Sequence, residues 1–164
     1  LFSLNDAKEL ELSKDGVLRV SDVMSKDVTC VIDSTTIEQV ASIFNHKKIS
    51  GVPVVHYLSK HLVGIITMSD IISRIFEKKD PATFHLEVGV FQSDDPPFMS
   101  QPVGELMHKQ VLEVAPDCTV QEACKLMMEN NVHRLIVTKR SLVFGIFTAF
   151  DAVSVISHFG IKGF

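Results

Sequence analysis

Gly64-Ile65-Ile66-Thr67-Met68-Ser69-Asp70 returns 81 positions later as Gly145-Ile146-Phe147-Thr148-Ala149-Phe150-Asp151. Upstream, Val20-Ser21-Asp22-Val23-Met24 returns 83 positions later as Val103-Gly104-Glu105-Leu106-Met107. An offset that drifts by two residues across the whole unit marks two copies of one structural module. Each copy keeps a Gly in an apolar strand pattern, a Thr at its end and an Asp three residues further on. A duplicated module tends to pack against itself, and polar residues kept in both copies are candidates to line the seam.

The order of elements is legible in each copy. Val28-Thr29-Cys30-Val31-Ile32 is rich in β-branched residues and predicts a strand. Asp33 to Thr36 offers N-caps, and Ile37, Val40, Ala41, Ile43 and Phe44 share one helical face. His46, Lys47 and Lys48 place positive charge in that helix's last turn. Gly51–Val55 predicts a second strand, with Pro53 near its start or at a sheet edge. His56 to His61 is a polar turn with both histidines exposed, and Leu62–Thr67 a third strand. Ser69 or Asp70 then opens a second helix carrying Ile71, Ile72, Ile75 and Phe76. The second copy repeats the series. It has a strand over Val111–Val114, a helix bearing Val120, Ala123, Cys124, Leu126 and Met127, strands at Leu135–Val137 and Leu142–Thr148, and a helix after Asp151. The last of these carries Ala152, Val153, Val155 and Ile156. The chain therefore divides into an arm (1–19), a first repeat (20–76), a connection (77–102) and a second repeat (103–160). The fold class is α/β (α+β), each repeat running strand-helix-strand-strand-helix. The arm predicts a short helix or a strap on the body. Phe84–Val88 in the connection predicts a local helix or strand that Asp94-Asp95-Pro96-Pro97 cannot continue.

Composition narrows the classes of function. With 164 residues, 46% of them hydrophobic, the chain can build one ordinary core or two half-cores. A mean hydropathy of +0.23 points to an apolar surface used for pairing with another chain. A net charge of −4 weighs against a nucleic-acid binder, which ordinarily shows a basic surface. Cys30, Cys118 and Cys124 form neither a disulfide framework nor a zinc motif and read as small buried residues in a reducing cytoplasm. No apolar run reaches the ~18 residues of a membrane span, and no signal peptide is expected. Leu1 in place of Met is read as the mark of an excised or processed chain.

Thr-x-x-Asp at a strand-to-helix junction has two readings. Its carboxylate can accept the free N–H groups of a helix start. Alternatively, Asp can accept from both hydroxyls of a ribose cis-diol, as an acidic residue does in dinucleotide folds. Duplication within a matched frame favours the second reading.

Together, the Val-x-x-Met opening, the element order, Gly-h-h-Thr-x-x-Asp (h apolar) and Gly51-Val52-Pro53-Val54 resemble tandem CBS domains. The resemblance implies a pseudo-twofold pair, a Bateman module, with two clefts for adenosyl ligands: AMP, ADP, ATP or S-adenosylmethionine. It also implies a homodimer. Val132-His133-Arg134-Leu135-Ile136-Val137 further resembles the nucleotide-binding segment of the AMP-activated protein kinase gamma subunit. That family builds each cleft across repeats. Carried over, the first cleft combines Thr67 and Asp70 with Val111, Leu112, Val132, His133, Arg134 and Ile136. Asp70 would hold ribose, and His133 and Arg134 phosphate. The second cleft combines Thr148 and Asp151 with Val28, Thr29, Ile49, Ser50, Gly51 and Pro53. It has Ser50-Gly51 where the first has His133-Arg134, and Ile136 stands where the family often has Pro.

Other constellations carry less. The histidines at 46, 56, 61, 85, 108, 133 and 158 form no compact metal motif, and no metal is expected. Lys139 and Arg140 read as a solvated turn. Met24, Met107, Met127 and Met128 read as core or interface filler. No activated nucleophile or acid–base pair appears, so an enzyme is not expected. The expectation is a cytoplasmic adenine-nucleotide sensor with no obligatory cofactor, signalling to an effector protein. The alternatives are a regulatory fragment of a larger enzyme or transporter, and a ligand-free dimerisation scaffold.

Overall fold

Thr36 and Thr119 open the first long helix of each repeat in the same way. Each hydroxyl accepts the N–H three residues on (Gln39, 3.3 Å; Glu122, 3.1 Å), and that residue's side chain accepts the Thr N–H in return. These are capping boxes, and they set where helix begins. The computed structural model describes residues 16–77 and 97–159. Most of the arm, the Phe84–Val88 segment and Asp94 to Pro96 lie outside the described residues.

The elements run α1 (Val20–Val23), β1 (Val31–Ile32), α2 (Ile37–Lys47), β2 (Gly51–Val55), β3 (Leu62–Thr67), α3 (Met68–Glu77), β4 (Glu113–Val114), α4 (Val120–Glu129), β5 (Arg134–Lys139), β6 (Leu142–Thr148) and α5 (Ala149–Phe159). Single 3-10 turns occupy Phe98–Ser100 and Val103–Glu105. There are two sheets of three strands, ordered β1-β2-β3 and β4-β5-β6. In each, the first pair is parallel and the second antiparallel. The two-residue drift in the repeat offset arises in the hairpins. His56–His61 joins β2 to β3, whereas Arg140-Ser141 alone joins β5 to β6. Both of those residues have positive φ (54° and 63°), as a two-residue hairpin turn matching strand twist demands.

The compact units are cut differently from the repeats. One comprises residues 1–28 with 112–164, and the other residues 29–111. The short opening of each repeat is thus built into the unit that carries the body of the other. The backbone wiring is the same in both. In the first unit Val20 N–H donates to Cys118 O (2.9 Å), Ser21 N–H to Pro116 O (2.9 Å) and Val120 N–H to Leu18 O (3.0 Å). In the second, Val103 N–H donates to Thr35 O (2.8 Å), Gly104 N–H to Asp33 O (2.9 Å) and Ile37 N–H to Gln101 O (3.0 Å). Ser25 then exchanges both backbone bonds with Ile146, and His108 does so with Ile65.

That exchange explains the invariants of the repeat. Met24 lies on Gly145 and Met107 on Gly64. A Cβ at Gly64 would stand 2.8 Å from Met107 Cγ and 3.0 Å from His108 O; at Gly145 it would stand 3.0 Å from Met24 Cγ and 3.0 Å from Ser25 O. No side chain fits between these partners. Each unit has its own core. Leu18, Val20, Val23 and Met24 join Val120, Leu135, Val137 and Phe147 in one. Val103, with Leu106 and Met107 packed against it, joins Ile37, Val40, Phe44, Val52, Val54 and Ile66 in the other.

Several expectations are corrected. Pro53 is neither at the start of its strand nor at an edge; it sits inside β2, the central strand. It is tolerated because its partner Ile65 turns both backbone groups to His108. On the other side of β2, pairing with β1 begins only at Val54. In the second repeat Ile136 holds this place, donates to Leu112 O (3.1 Å), and the parallel ladder begins one residue earlier, at Glu113↔Ile136. The second helix of the first repeat starts at Met68 rather than at Ser69 or Asp70. Cys30 is exposed and His56 is half-buried; Met128, 82% exposed, lies outside the core, which leaves the interface reading of that residue. Among the apolar residues assigned to the last helices, Ile72, Phe76, Val153 and Ile156 face outward.

Gly64→Ala and Gly145→Ala are each expected to cost about 1–3 kcal/mol by overpacking, read by urea denaturation. Shortening the methionine should recover part of the loss along the exchanged pairing only: Met107→Ala for Gly64→Ala, Met24→Ala for Gly145→Ala. Recovery by the methionine of the same repeat would contradict the exchange.

Candidate functional site

The two Thr-x-x-Asp elements are capping boxes that leave one carboxylate oxygen over. Asp70 is the third residue of α3. Its Oδ2 accepts both the backbone N–H and the hydroxyl of Thr67, each at 2.7 Å, and Thr67 Oγ1 accepts Asp70 N–H at 3.3 Å. Thr148 and Asp151 at the start of α5 repeat these three distances. The helix-cap and ligand readings are therefore not exclusive. One oxygen of each carboxylate serves the cap, and Oδ1 remains.

The surroundings of the two carboxylates differ. Asp70 Oδ1 meets His108 Nε2 at 2.8 Å, with the Asp side chain 13% exposed and the His side chain 66% exposed. Asp151 is 6% exposed. Its Oδ1 accepts no hydrogen bond among the described residues. Burial pushes its carboxyl above the usual range, and the bonds from Thr148 only partly oppose that.

The other expected site residues divide between the two units. With Thr67 and Asp70, residues 29–111 hold Thr29, Ile49, Ser50, Gly51, Pro53 and Val111. Ser50 O accepts the first N–H of α3, from Met68 (3.0 Å), and Gly51 pairs with Thr67 across the sheet. With Thr148 and Asp151, the first unit holds Val28, Leu112, Val132, His133, Arg134 and Ile136. His133 O likewise accepts Ala149 N–H at the start of α5 (3.0 Å), and Arg134 pairs with Thr148. The loop before each central strand is thereby tied to the helix bearing the Asp of its own repeat. His133 is exposed, Arg134 is half-buried and opens β5, and Ile136 is 1% exposed.

Two partners were not singled out from the residues. His108 stands 83 positions after Ser25, and a comparison of the copies at the residue following Met24 and Met107 would have flagged it. Lys47 was read only as helix C-terminal charge, but its Nζ donates to Thr29 Oγ1 at 2.7 Å. Two surface depressions, of about 410 and 710 Å³, lie at Lys139–Phe144 and around Cys30 and Glu38. Neither is lined by a Thr-x-x-Asp carboxylate. Among the described residues no group of His, Cys, Asp and Glu could hold a metal, and no helix is long and apolar enough to cross a membrane.

Residues 20–77 and 103–158 both match the CBS domain. The chain belongs to the CBS-domain family. Its tandem repeat is 30% identical over 153 residues to the uncharacterized protein MJ1426 of Methanocaldococcus jannaschii, covering 84% of this chain and 90% of that one. It matches only 40% of the length of MJ1232 from the same organism, at 30% identity over 85% of this chain. It matches 25% of an inosine-5'-monophosphate dehydrogenase of Korarchaeum cryptofilum, at 27% identity over 87% of this chain. Among solved structures, the CBS domain pair of MJ0100 in complex with 5'-methylthioadenosine and S-adenosyl-L-methionine superposes with a TM-score of 0.69, at 22% identity over 87% of this chain and 98% of that one. CBSX2 in complex with AMP gives 0.67, at 23% over 86% and 97%. MJ1225 of M. jannaschii, a proposed archaeal homologue of the AMP-activated protein kinase gamma subunit, gives 0.70, at 23% over 85% and 48%. The fold is that of a CBS pair. CBS domains are regulatory modules, and no catalytic family is indicated.

The raised Asp151 carboxyl has a stability consequence. The folded CBS pair holds that proton more tightly than the unfolded chain does. The contribution is therefore fully present below the unfolded-state pKa and is lost as pH rises through the folded-state pKa. The stability of the wild type relative to Asp151→Asn, measured by urea denaturation between about pH 3 and 7, should grow in favour of the wild type as pH falls. A difference independent of pH would contradict the burial argument.

Proposed function

We propose that this CBS pair is a regulatory sensor of an adenosyl ligand, with AMP, ADP or ATP as the first candidates and S-adenosylmethionine the next. One observation carries the reading: in both units the cap consumes Oδ2 and leaves Oδ1 for another donor. A ribose 2′,3′-diol supplies such donors. The ligands bound by the MJ0100 and CBSX2 pairs support the choice of class. His133 and Arg134 then contact phosphate, Arg134 bidentately. Val111, Leu112, Val132 and Ile136, and in the second set Val28, Thr29, Ile49, Ser50 and Pro53, flank adenine. Ligand occupancy reaches an effector protein only if the ligand binds two arrangements of the pair unequally.

The family resemblance assigns Arg134 to the ligand held by Asp70. The register Arg134↔Thr148 favours a second assignment, to the ligand held by Asp151. A regulatory segment within a larger protein is a further reading, supported by the small share of MJ1232 and of the dehydrogenase that this chain spans.

Titration calorimetry with AMP, ADP, ATP and S-adenosylmethionine is expected to show binding below millimolar concentration. No binding by any of them would overturn the sensor. Arg134→Ala should weaken the phosphorylated ligands by roughly ten- to a hundredfold, the worth of a charge-assisted contact of about 1.5–3 kcal/mol, and leave S-adenosylmethionine nearly unchanged. A double-mutant cycle with Asp70→Ala and with Asp151→Ala identifies which carboxylate shares a ligand with Arg134.

We also propose a homodimer through α3 and α5. Met68, Ile72 and Phe76 are exposed at one-turn spacing on α3, Phe76 at 57%. On α5, Phe150, Val153 and Ile156 are exposed, Phe150 at 68%. Apolar helix faces of this kind mark association surfaces. Sedimentation is expected to give a dimer for the wild type and a monomer for Phe76→Glu combined with Phe150→Glu. A wild-type monomer at high micromolar concentration would refute the pairing.

A further inference from the structure

We propose that His108 is a specificity-determining residue that latches the Asp70 carboxylate, so that the two ribose positions of this chain are unequal. The inference rests on the proposed role of Asp70 as a ribose acceptor and adds what controls its access. A carboxylate offers about four acceptor sites, two on each oxygen. At Asp70 the Thr67 N–H and O–H take two of them on Oδ2, and His108 Nε2 takes one on Oδ1. One site is left, and a cis-diol donates two hydroxyls. The diol engages fully only when the imidazole gives way. At Asp151 the cap takes the same two sites, and both sites on Oδ1 are open among the described residues.

The difference between the positions is one side chain. His108 and Ser25 occupy the same place in the exchanged openings. Each exchanges both backbone bonds with the strand leading to its Thr-x-x-Asp: His108 with Ile65 at 2.9 and 2.9 Å, Ser25 with Ile146 at 3.0 and 3.0 Å. The backbone therefore delivers either residue to the same spot, but only the imidazole closes on a carboxylate. Because the His108 ring is 66% exposed, it has room to swing away. Asp70 thus favours ligands whose further contacts compensate for the displaced imidazole hydrogen bond, whereas Asp151 accepts a diol without competition.

His108→Ser is the natural test, since Ser already fills this place at position 25. AMP is titrated by calorimetry into Asp151→Ala, which leaves Asp70 as the sole ribose position, with and without His108→Ser. The serine variant is expected to bind about tenfold tighter, the scale of one charge-assisted contact no longer broken. Unchanged or weaker affinity overturns the latch. A second readout needs no substituted chain: in the wild type, saturating AMP should shift the His108 ring resonances. Ring resonances indifferent to AMP overturn the latch as well. Failure of AMP to bind these variants, with ADP, ATP and S-adenosylmethionine equally unbound by the wild-type chain, removes both the latch and the sensor; failure of AMP at Asp70 alone, or AMP bound through Asp70 with affinity indifferent to His108→Ser, removes the latch alone.

Discussion

A methionine sulfur packed on a bare glycine holds each half of this protein together. Met24 on Gly145 and Met107 on Gly64 bring the opening of one repeat against the central region of the other. The backbone bonds of Ser25 to Ile146 and of His108 to Ile65 hold that contact in register. A Cβ at either glycine would drive into the methionine and a backbone carbonyl, and a packed interior does not absorb such overlap cheaply. The Val-x-x-Met and Gly-h-h-Thr-x-x-Asp patterns are therefore two sides of one contact. Neither compact unit contains a complete repeat, so neither core can be assembled from one repeat alone.

The candidate site inherits its order from the same arrangement. The strand that carries the glycine ends in Thr67 or Thr148, and the helix that follows begins at the next residue. Reciprocal capping then fixes the carboxylate of Asp70 or Asp151 through three hydrogen bonds within four residues. This makes the two carboxylates locally identical. What distinguishes them comes from outside the motif: an exposed histidine ring from the exchanged opening at Asp70, and burial at Asp151. Local geometry thus sets the chemical type of the site, and tertiary neighbours set its availability.

Much of the fold was legible because it rests on local rules. Periodicity located α2, α4 and the long strands, and β-branched runs located β1 and β4. The duplicated motif showed that whatever one half does structurally, the other repeats. Where reading by local rule failed, a non-local partner had intervened. Pro53 is tolerated in a central strand because Ile65 turns its backbone to His108 and because β1 starts late. Met68, Ile72 and Phe76 on α3 and Phe150, Val153 and Ile156 on α5 are apolar yet exposed, so residue type alone could not say that Phe76 or Phe150 lies on the surface. The same holds for Cys30, read as buried but exposed, since residue type states a preference and not a position.

The sequence by itself determined that this is a duplicated CBS module, where its elements lie, and that Thr67 with Asp70 and Thr148 with Asp151 are equivalent pairs. Those properties depend on spacing and on interactions within a few residues. Only the tertiary structure decided that the opening of each repeat belongs to the core built by the body of the other repeat, that His108 reaches Asp70 across 38 positions of sequence, and that Asp151 is buried instead. Such contacts depend on which chain segments meet, and spacing along one sequence carries no record of which side chains the fold brings to face each other.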